Sequence, residues 1–490
     1  MNAVAIETEL DVEDLRRREY SRLAEQNQVY LDYTGACLYP ESLVRRHLDR
    51  LTEGVFGNPH SSNPTSATST MQVEEARTAV LRYFNASASE YEAIFTLNAS
   101  GALKLVGESY PFDQASTYLL TYDNHNSVNG IREFARARGA DVHYAPITDP
   151  DLRIDEAALS ELLAAPGGDA PGLFAFPAQS NFSGVQHSLS WVKRAQSQGW
   201  DVLLDAAAFV PTNRLDLTSV KPDFVSVSFY KMFGYPTGVG CLLCRKRAAR
   251  KLMRPWFAGG TVLIASTHVN ACESSSGYAL DQGAAAFEDG TVNYLGISAI
   301  AMGLQYLNDL GLEQIHNNVM RLTARLLERL SSLHHSNGCD LVHIYGPTSI
   351  VGRGGTVAMN LFDDRGELIH PREVERLASE ECISIRTGCH CNPGAGQTAL
   401  HISDHRIESV FKARKRLSLE RFRLVADELR EGAVRVSLGI ASNQSDIDAF
   451  IELAAGFLDQ SQARSAETRS AAIEQDQPDG AGQQHTSNKS

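Results

Sequence analysis

The sequence predicts an α/β protein: a large, mostly parallel sheet with helices on both faces, followed by a smaller α+β domain. Three observations predict it. Short apolar runs bounded by small or polar residues recur between 94 and 228, at IFTL, STYLLTY, DVHYA, GLFAF, DVLLD and DFVSVS, and their β-branched and aromatic content at strand length marks buried strands. Most of these runs are separated by stretches of helical spacing, and strands joined through helices return in the same direction by right-handed crossovers. At 490 residues the chain exceeds what one small core organises, so a second unit is expected.

Taken in order, residues 11–27 carry Leu15 and Leu23 among many charges and read as a lead-in helix; Val29 to Asp32 starts a short strand. GVFGNPHSS (54–62) has the Gly, Asn-Pro and Ser content of an ordered loop, and Met71 to Phe84 returns to helical spacing. Strand IFTL, the turn Asn98-Ala99-Ser100-Gly101 and a helix to about Ser109 open the repeating pattern. Helices over Val128 to Arg138, Asp155 to Ala164 and Leu189 to Gln198 then alternate with the strands. Past Gly240, the strand CLLC holds Cys241 and Cys244, whose three-residue offset points them to opposite faces and argues against a redox or metal pair. Residues 295–335 read as a long helical stretch, 341–386 as new strands with a helix, Ala433 to Leu438 as a strand containing Arg435, and Asp446 to Leu458 as a closing helix. The expected division is an N-terminal segment, 1–55, packing with the smaller domain; a large domain, 56–310; the smaller domain, 311–460; and a disordered polar tail, 461–490.

Composition excludes several functions. The formal charge of −14 argues against nucleic acid, because no basic cluster can neutralise phosphates; the run Lys412 to Arg416, flanked by Glu408 and Glu420, reads as a solvated helix face. No apolar run reaches membrane-spanning length, and the start MNAVAIETELDVEDL is acidic where a signal peptide is basic, so a cytoplasmic protein without a membrane partner is expected. Eight cysteines without framework spacing are expected as reduced thiols.

Ligands of parallel sheets sit beyond the C-terminal strand ends, so the residues there are the candidates. After successive strands come Ala99-Ser100, then Asp123-Asn124-His125, Gln179-Ser180-Asn181, Asp205, and Tyr230-Lys231. They supply an anion cradle at a helix start, a ring for stacking, an amide, a carboxylate and an amine, the set that a phosphorylated aldehyde such as pyridoxal phosphate requires. Lys231 directly follows an apolar strand and precedes a glycine-rich loop; partly desolvated, its amine becomes a nucleophile able to form a Schiff base. The alternative is a lysine snorkelling from a strand end. RTGCHCNPGAG (386–396) places two thiols on a Gly/Pro loop beside Arg386, where a mobile thiolate can meet a bound substrate. Zinc held by Cys389, His390, Cys391, His401 and His405 and an inert cysteine pair are the competing readings; the one-residue cysteine spacing disfavours zinc.

These residues resemble the class V, fold-type I pyridoxal-phosphate enzymes, and within them the aminotransferase-like domain of molybdenum cofactor sulfurases, relatives of cysteine desulfurases. The resemblance rests on VYLDYTGACLYP (29–40), GNPHSSN (57–63), IFTLNASGALKLVGE (94–108), DNHNSVNGIRE (123–133), SNFSG (180–184), LLDAAAF (203–209), SFYKMFGYPTGVG (228–240), WFAGGT (256–261), RTGCHCNPGA (386–395) and VRVSLG (434–439). It implies that Lys231 bears pyridoxal 5'-phosphate, that Asp205 pairs with the ring nitrogen and that His125 stacks on the ring. Asn181 faces the phenolic oxygen. Ala99, Ser100, Ser228 and Tyr230 hold the phosphate, with Thr261 from the second subunit of a homodimer. Arg435 and Arg386 bind the substrate carboxylate, and Cys391 is the catalytic cysteine. The implied reaction takes sulfur from L-cysteine as a Cys391 persulfide and releases alanine; a C–S lyase, or a sulfur donor to a specialised metabolite, is the alternative. Sulfurases of the family continue into a domain that binds the molybdenum cofactor, whereas this sequence runs into a polar tail. The acceptor, that cofactor or a separate protein, therefore stays open.

Overall fold

The computed structural model describes residues 10–164, 172–266, 277–414 and 432–460. Its largest sheet has seven strands: β1 (Tyr91–Thr96), β2 (Thr117–Thr121), β3 (Asp141–Ala145), β4 (Gly172–Pro177), β5 (Asp201–Asp205), β6 (Phe224–Ser228) and β7 (Gly240–Arg245). Across the sheet they run β1-β7-β6-β5-β4-β2-β3. The block from β6 to β3 is parallel, and β7 runs antiparallel to both β6 and β1. Two reversals leave β1 parallel to β6, so β1, β2, β4, β5 and β6 all end along one edge.

Alternating side chains cover both faces. Val225, Val227, Leu204 and Cys241 pack into one core, while Phe224, Leu203, Leu242 and Cys244 pack into another on the opposite side. Burial on both faces explains why these strands read as continuous apolar runs. It also places Cys241 and Cys244 in different cores, as their spacing requires.

A second, five-stranded antiparallel sheet contains β8 (Val342–Tyr345), β9 (Thr356–Phe362), β10 (Arg386–Gly388) and β11 (Ala433–Ser437), ordered β8-β9-β11-β10, with the short Leu368–Ile369 strand beside β9. The N-terminal segment lies against it. Val29–Tyr30 pairs in parallel with Ile383–Ser384, the Ser437 amide donates to Leu31 O at 2.7 Å, and Arg16 reaches Asp446 at 2.7 Å.

Four helical stretches differ from expectation, the lead-in over 11–27 being two short helices, Val12–Glu19 and Arg22–Glu25. The stretch 295–335 is two helices, Tyr294–Leu310 and Leu312–Ser331, because Gly311 between them takes φ +81°, which ends a right-handed helix. The expected helix over Val128 to Arg138 is divided at Gly130 into Asn126–Asn129 and Ile131–Ala137. The helix expected from Met71 begins already at Pro64, where Asn63 Oδ1 accepts from the Ser66 amide at 3.0 Å and Pro64 occupies the first turn. The polar tail, the end of the basic run and Cys272 lie outside the described residues.

Candidate active site

The shared strand-end edge opens into a cleft with about 660 Å³ of unfilled space. Ala99, Ser100, Ser228, Tyr230, His125, Asn181, Asp205 and Lys231 are all among the residues that line it. Sequence positions spread over more than a hundred residues thus meet because parallel strands deliver their ends to one line.

The Ala99–Ser109 helix starts in the cleft, capped by Asn98 Oδ1, which accepts from the Gly101 amide at 2.9 Å. The Ala99 amide donates to Ser228 Oγ at 2.9 Å, and Ser100 and Ser127 share a 2.6 Å hydroxyl contact. A helix start ringed by the Ser100, Ser127 and Ser228 hydroxyls suits an anion. Asp205 is the last residue of β5; its Oδ1 accepts from Ser226 Oγ at 2.9 Å and from the Ala207 amide at 3.1 Å, which orients the carboxylate. His125 caps the next helix, its Nδ1 accepting from the Ser127 amide at 3.1 Å, so the ring proton of the neutral imidazole sits on Nε2. Its neighbour Asn124 is fully buried, donating to Thr121 O at 2.9 Å and Ala175 O at 3.2 Å, and this assigns the station to His125.

Lys231 lies on the single helical turn Phe229–Phe233 after β6. Burial lowers its amine below the ordinary value; Asp205 and Cys391 oppose that shift, and Arg435 and Arg386 reinforce it. Burial also lowers the His125 imidazole, against the pull of Asp205. Among the described residues no hydrogen bond or ion pair engages the Lys231 amine.

The cysteine loop was expected to be mobile; the structure clamps it. The Asn126 amide donates to Cys391 O at 2.7 Å, and the wholly buried Asn392 side chain donates to Asp123 O at 2.7 Å and Asn181 Oδ1 at 3.0 Å. Behind it, a Cβ built on Gly394 would stand 1.9 Å from Tyr122 O, so only glycine permits this approach. The loop is thereby tied to Asp123 and Asn126 on either side of His125, and Cys391 itself stays exposed.

Arg386 and Arg435 converge on one carboxylate. Asp32 accepts from Arg386 Nη2 at 2.6 Å and from Arg435 Nη2 at 2.9 Å, and Arg435 Nη1 donates to Asn181 O at 2.9 Å. The buried Nε of Arg435 has no partner among the described residues. Two cations against one anion leave a positive excess beside the cleft, suited to a carboxylate ligand.

Sequence reasoning missed Asp32, Asn392 and the buried His187–Asp123 pair at 2.6 Å. Asp32 lies 354 and 403 positions from its arginines, a separation that carries no local signal. Thr261 is not brought to the cleft: its hydroxyl donates to Ala258 O at 2.8 Å within its own turn. Among the described residues no three His, Cys, Asp or Glu side chains gather as a metal site. None of the described helices is long and apolar enough to cross a membrane.

Comparison with known proteins places this arrangement. Molybdenum cofactor sulfurase of Bos taurus is 36% identical over 89% of this chain and 51% of its own length, and that of Arabidopsis thaliana is 36% identical over 90% and 57%. The chain thus spans about half the length of the curated relatives it matches. Among solved structures, a cysteine desulfurase from Thermococcus onnurineus superposes with a TM-score of 0.75 at 24% identity, covering 91% of this chain and 98% of that one. A cystine C-S lyase, solved with its product cysteine persulfide, superposes with a TM-score of 0.67 at 17% identity, over 90% and 100%. At such identities these two establish the fold. The sequence profile of class-V aminotransferases matches residues 29–450, and the chain belongs to that family.

Proposed function

We propose that this chain is a pyridoxal-phosphate-dependent cysteine desulfurase of the molybdenum cofactor sulfurase type. It converts L-cysteine and the Cys391 thiol into alanine and a Cys391 persulfide. The observation that carries the reading is the meeting of Lys231, Asp205, His125 and the Cys391 loop at one strand-end edge, with an anion cradle beside them.

The donor set fits pyridoxal phosphate. The helix start with Ser100, Ser228 and Tyr230 would hold its phosphate, Asp205 its ring nitrogen, His125 its ring face, Asn181 its phenolic oxygen and Lys231 its aldehyde carbon. When bound, the cofactor supplies a carbonyl carbon for an amine and a ring that stores electrons. The protein does the rest. Lys231, its amine lowered by burial and so a readier base than an exposed lysine, takes a proton from the substrate's α-carbon. The surplus charge of the Arg386/Arg435/Asp32 cluster, with Arg386 its exposed member, would draw the substrate carboxylate. The exposed Cys391 Sγ gains a sulfur–sulfur bond as the substrate's carbon–sulfur bond breaks, and the thiol proton balances the methyl group of alanine.

The sulfur then passes to a separate acceptor, the molybdenum cofactor or an acceptor protein, as the relatives' name supports. A homodimer accounts for Thr261. Trp256, Phe257, Leu263 and Ile264, exposed around that turn, suit burial against a second copy, while Thr261 itself is buried in its own turn and would have to leave Ala258 to reach a neighbouring site. The chain divides into the large domain, 56–310, and the smaller domain, 311–460.

The test is product identity. The protein loaded with pyridoxal phosphate is incubated with L-cysteine, and alanine together with one added sulfur on the Cys391 peptide is the expected result. Pyruvate with free sulfide would assign the lyase reaction instead. Lys231→Ala should lose the visible absorbance of lysine-bound cofactor.

A further inference from the structure

The proposed reaction leaves His390, between the two loop thiols, without a task. Its backbone and that of Cys391 both lie in the left-handed region, with φ +53° and +55°, and the Asn392 amide closes the turn on Cys389 O at 2.9 Å. Two successive non-glycine residues there are strained, so the turn persists only if its surroundings hold it.

The holding contacts converge on His390. Its Nε2 stands 3.1 Å from Ala433 O, and because a carbonyl only accepts, the ring proton is on Nε2. Burial and the nearby Arg435 keep the imidazole neutral, well below its ordinary value. Its main-chain oxygen accepts from Asn181 Nδ2 at 2.7 Å. Ala433 opens β11, two residues before Arg435, while Asn181 also takes Arg435 Nη1 on its main-chain oxygen. One imidazole therefore joins the thiol loop to the strand bearing the arginine, and the same residue's backbone joins it to the cleft amide.

We propose that His390 is a positioning residue, whose Nε2–H bond to Ala433 fixes the left-handed turn and so presents the Cys391 thiol at a set place relative to Arg435 and the cleft. The inference rests on the desulfurase reading. It assigns the thiol to a fixed loop, so the sulfur acceptor has to come to Cys391 at the cleft mouth.

The experiment uses the full chain loaded with pyridoxal phosphate and three variants. His390→Gln keeps an N–H at the reach of Nε2. His390→Asn tolerates positive φ but is too short to reach Ala433, and His390→Phe keeps ring bulk without the donor. Single-turnover persulfide formation on Cys391 should fall about tenfold in the Asn and Phe variants, the rate equivalent of one lost hydrogen bond. KM for L-cysteine and the cofactor absorbance should stay unchanged, and Gln should restore the rate to within about threefold, inside the spread of a single hydrogen bond.

Amide exchange at Asn126, whose N–H is held by Cys391 O, should quicken in the Asn and Phe variants alone. A wild-type rate in His390→Phe overturns the proposal. So does equal rescue by Asn and Gln, which would reduce the role to backbone tolerance. Should the unmutated protein make no alanine, the desulfurase reading fails by itself, and Asn126 exchange still decides on His390: protection kept in the Phe variant overturns the positioning role, and protection lost supports it.

Discussion

Replacing Asp32 by Asn removes the only carboxylate that the two cleft arginines share among the described residues. The Arg435 side chain is 4% exposed and that of Asp32 11%, whereas Arg386 is 52% exposed. Stripping one partner from a buried ion pair costs about 3–5 kcal/mol, because the remaining charge stays buried and uncompensated. Asn keeps one acceptor oxygen, which recovers about 1 kcal/mol. Arg386 is half in water and adds less than about 1 kcal/mol. The expected loss is therefore roughly 3 kcal/mol, read from the urea midpoint with an unchanged slope. Arg386→Gln, which removes the solvent-screened partner, should cost no more than about 1 kcal/mol. Equal effects of the two substitutions, or an Asp32→Asn loss below about 1 kcal/mol, would refute the assignment of Asp32 as the counter-charge of a buried Arg435.

Cys391→Ala should keep the lysine-bound cofactor absorbance and form no persulfide; sulfur found on Cys389 in that variant would relocate the nucleophile. Gly394→Ala forces a methyl group to within 1.9 Å of Tyr122 O. Overpacking of this kind costs about 1–3 kcal/mol, and the loop should shift, with persulfide formation slowed while cofactor absorbance is retained. The pH response of His125 has a defined sign. Its folded value lies below the ordinary 6.5, so the unfolded chain protonates first, and the stability contributed by the neutral ring is present above 6.5 and is lost as pH falls towards the lowered folded value. Proton NMR of the His125 ring in cofactor-free protein reads the folded titration, and His125→Asn should flatten that part of the stability curve; a titration at or above 6.5 would contradict it.

The strands were legible because burial on both faces writes itself into sequence as continuous apolar runs, and DVHYA and DVLLD match β3 and β5 residue for residue. Helix boundaries were less legible. The break at Gly311 depends on a backbone angle, and the start at Pro64 depends on an Asn63 cap set inside a stretch whose composition reads as loop. Ala99, Ser100, His125, Asn181, Asp205, Tyr230 and Lys231 could be nominated from position alone, since each ends or follows a strand; Ser228 came with the family resemblance, and all eight line the cleft.

By itself, then, the sequence determined which residues end the strands and what chemistry they carry, because strand periodicity is local and parallel crossovers have one hand. The tertiary structure alone decided what those residues face. Asp32 meets Arg435 across 403 positions, Asn392 crosses to Asp123 and Asn181, and His390 reaches Ala433. The Asn392 contacts join loops of the two sheets, and the Asp32 and His390 contacts join segments brought together at the second sheet; their partners depend on how distant parts of the chain dock, a quantity that no local pattern of residues encodes.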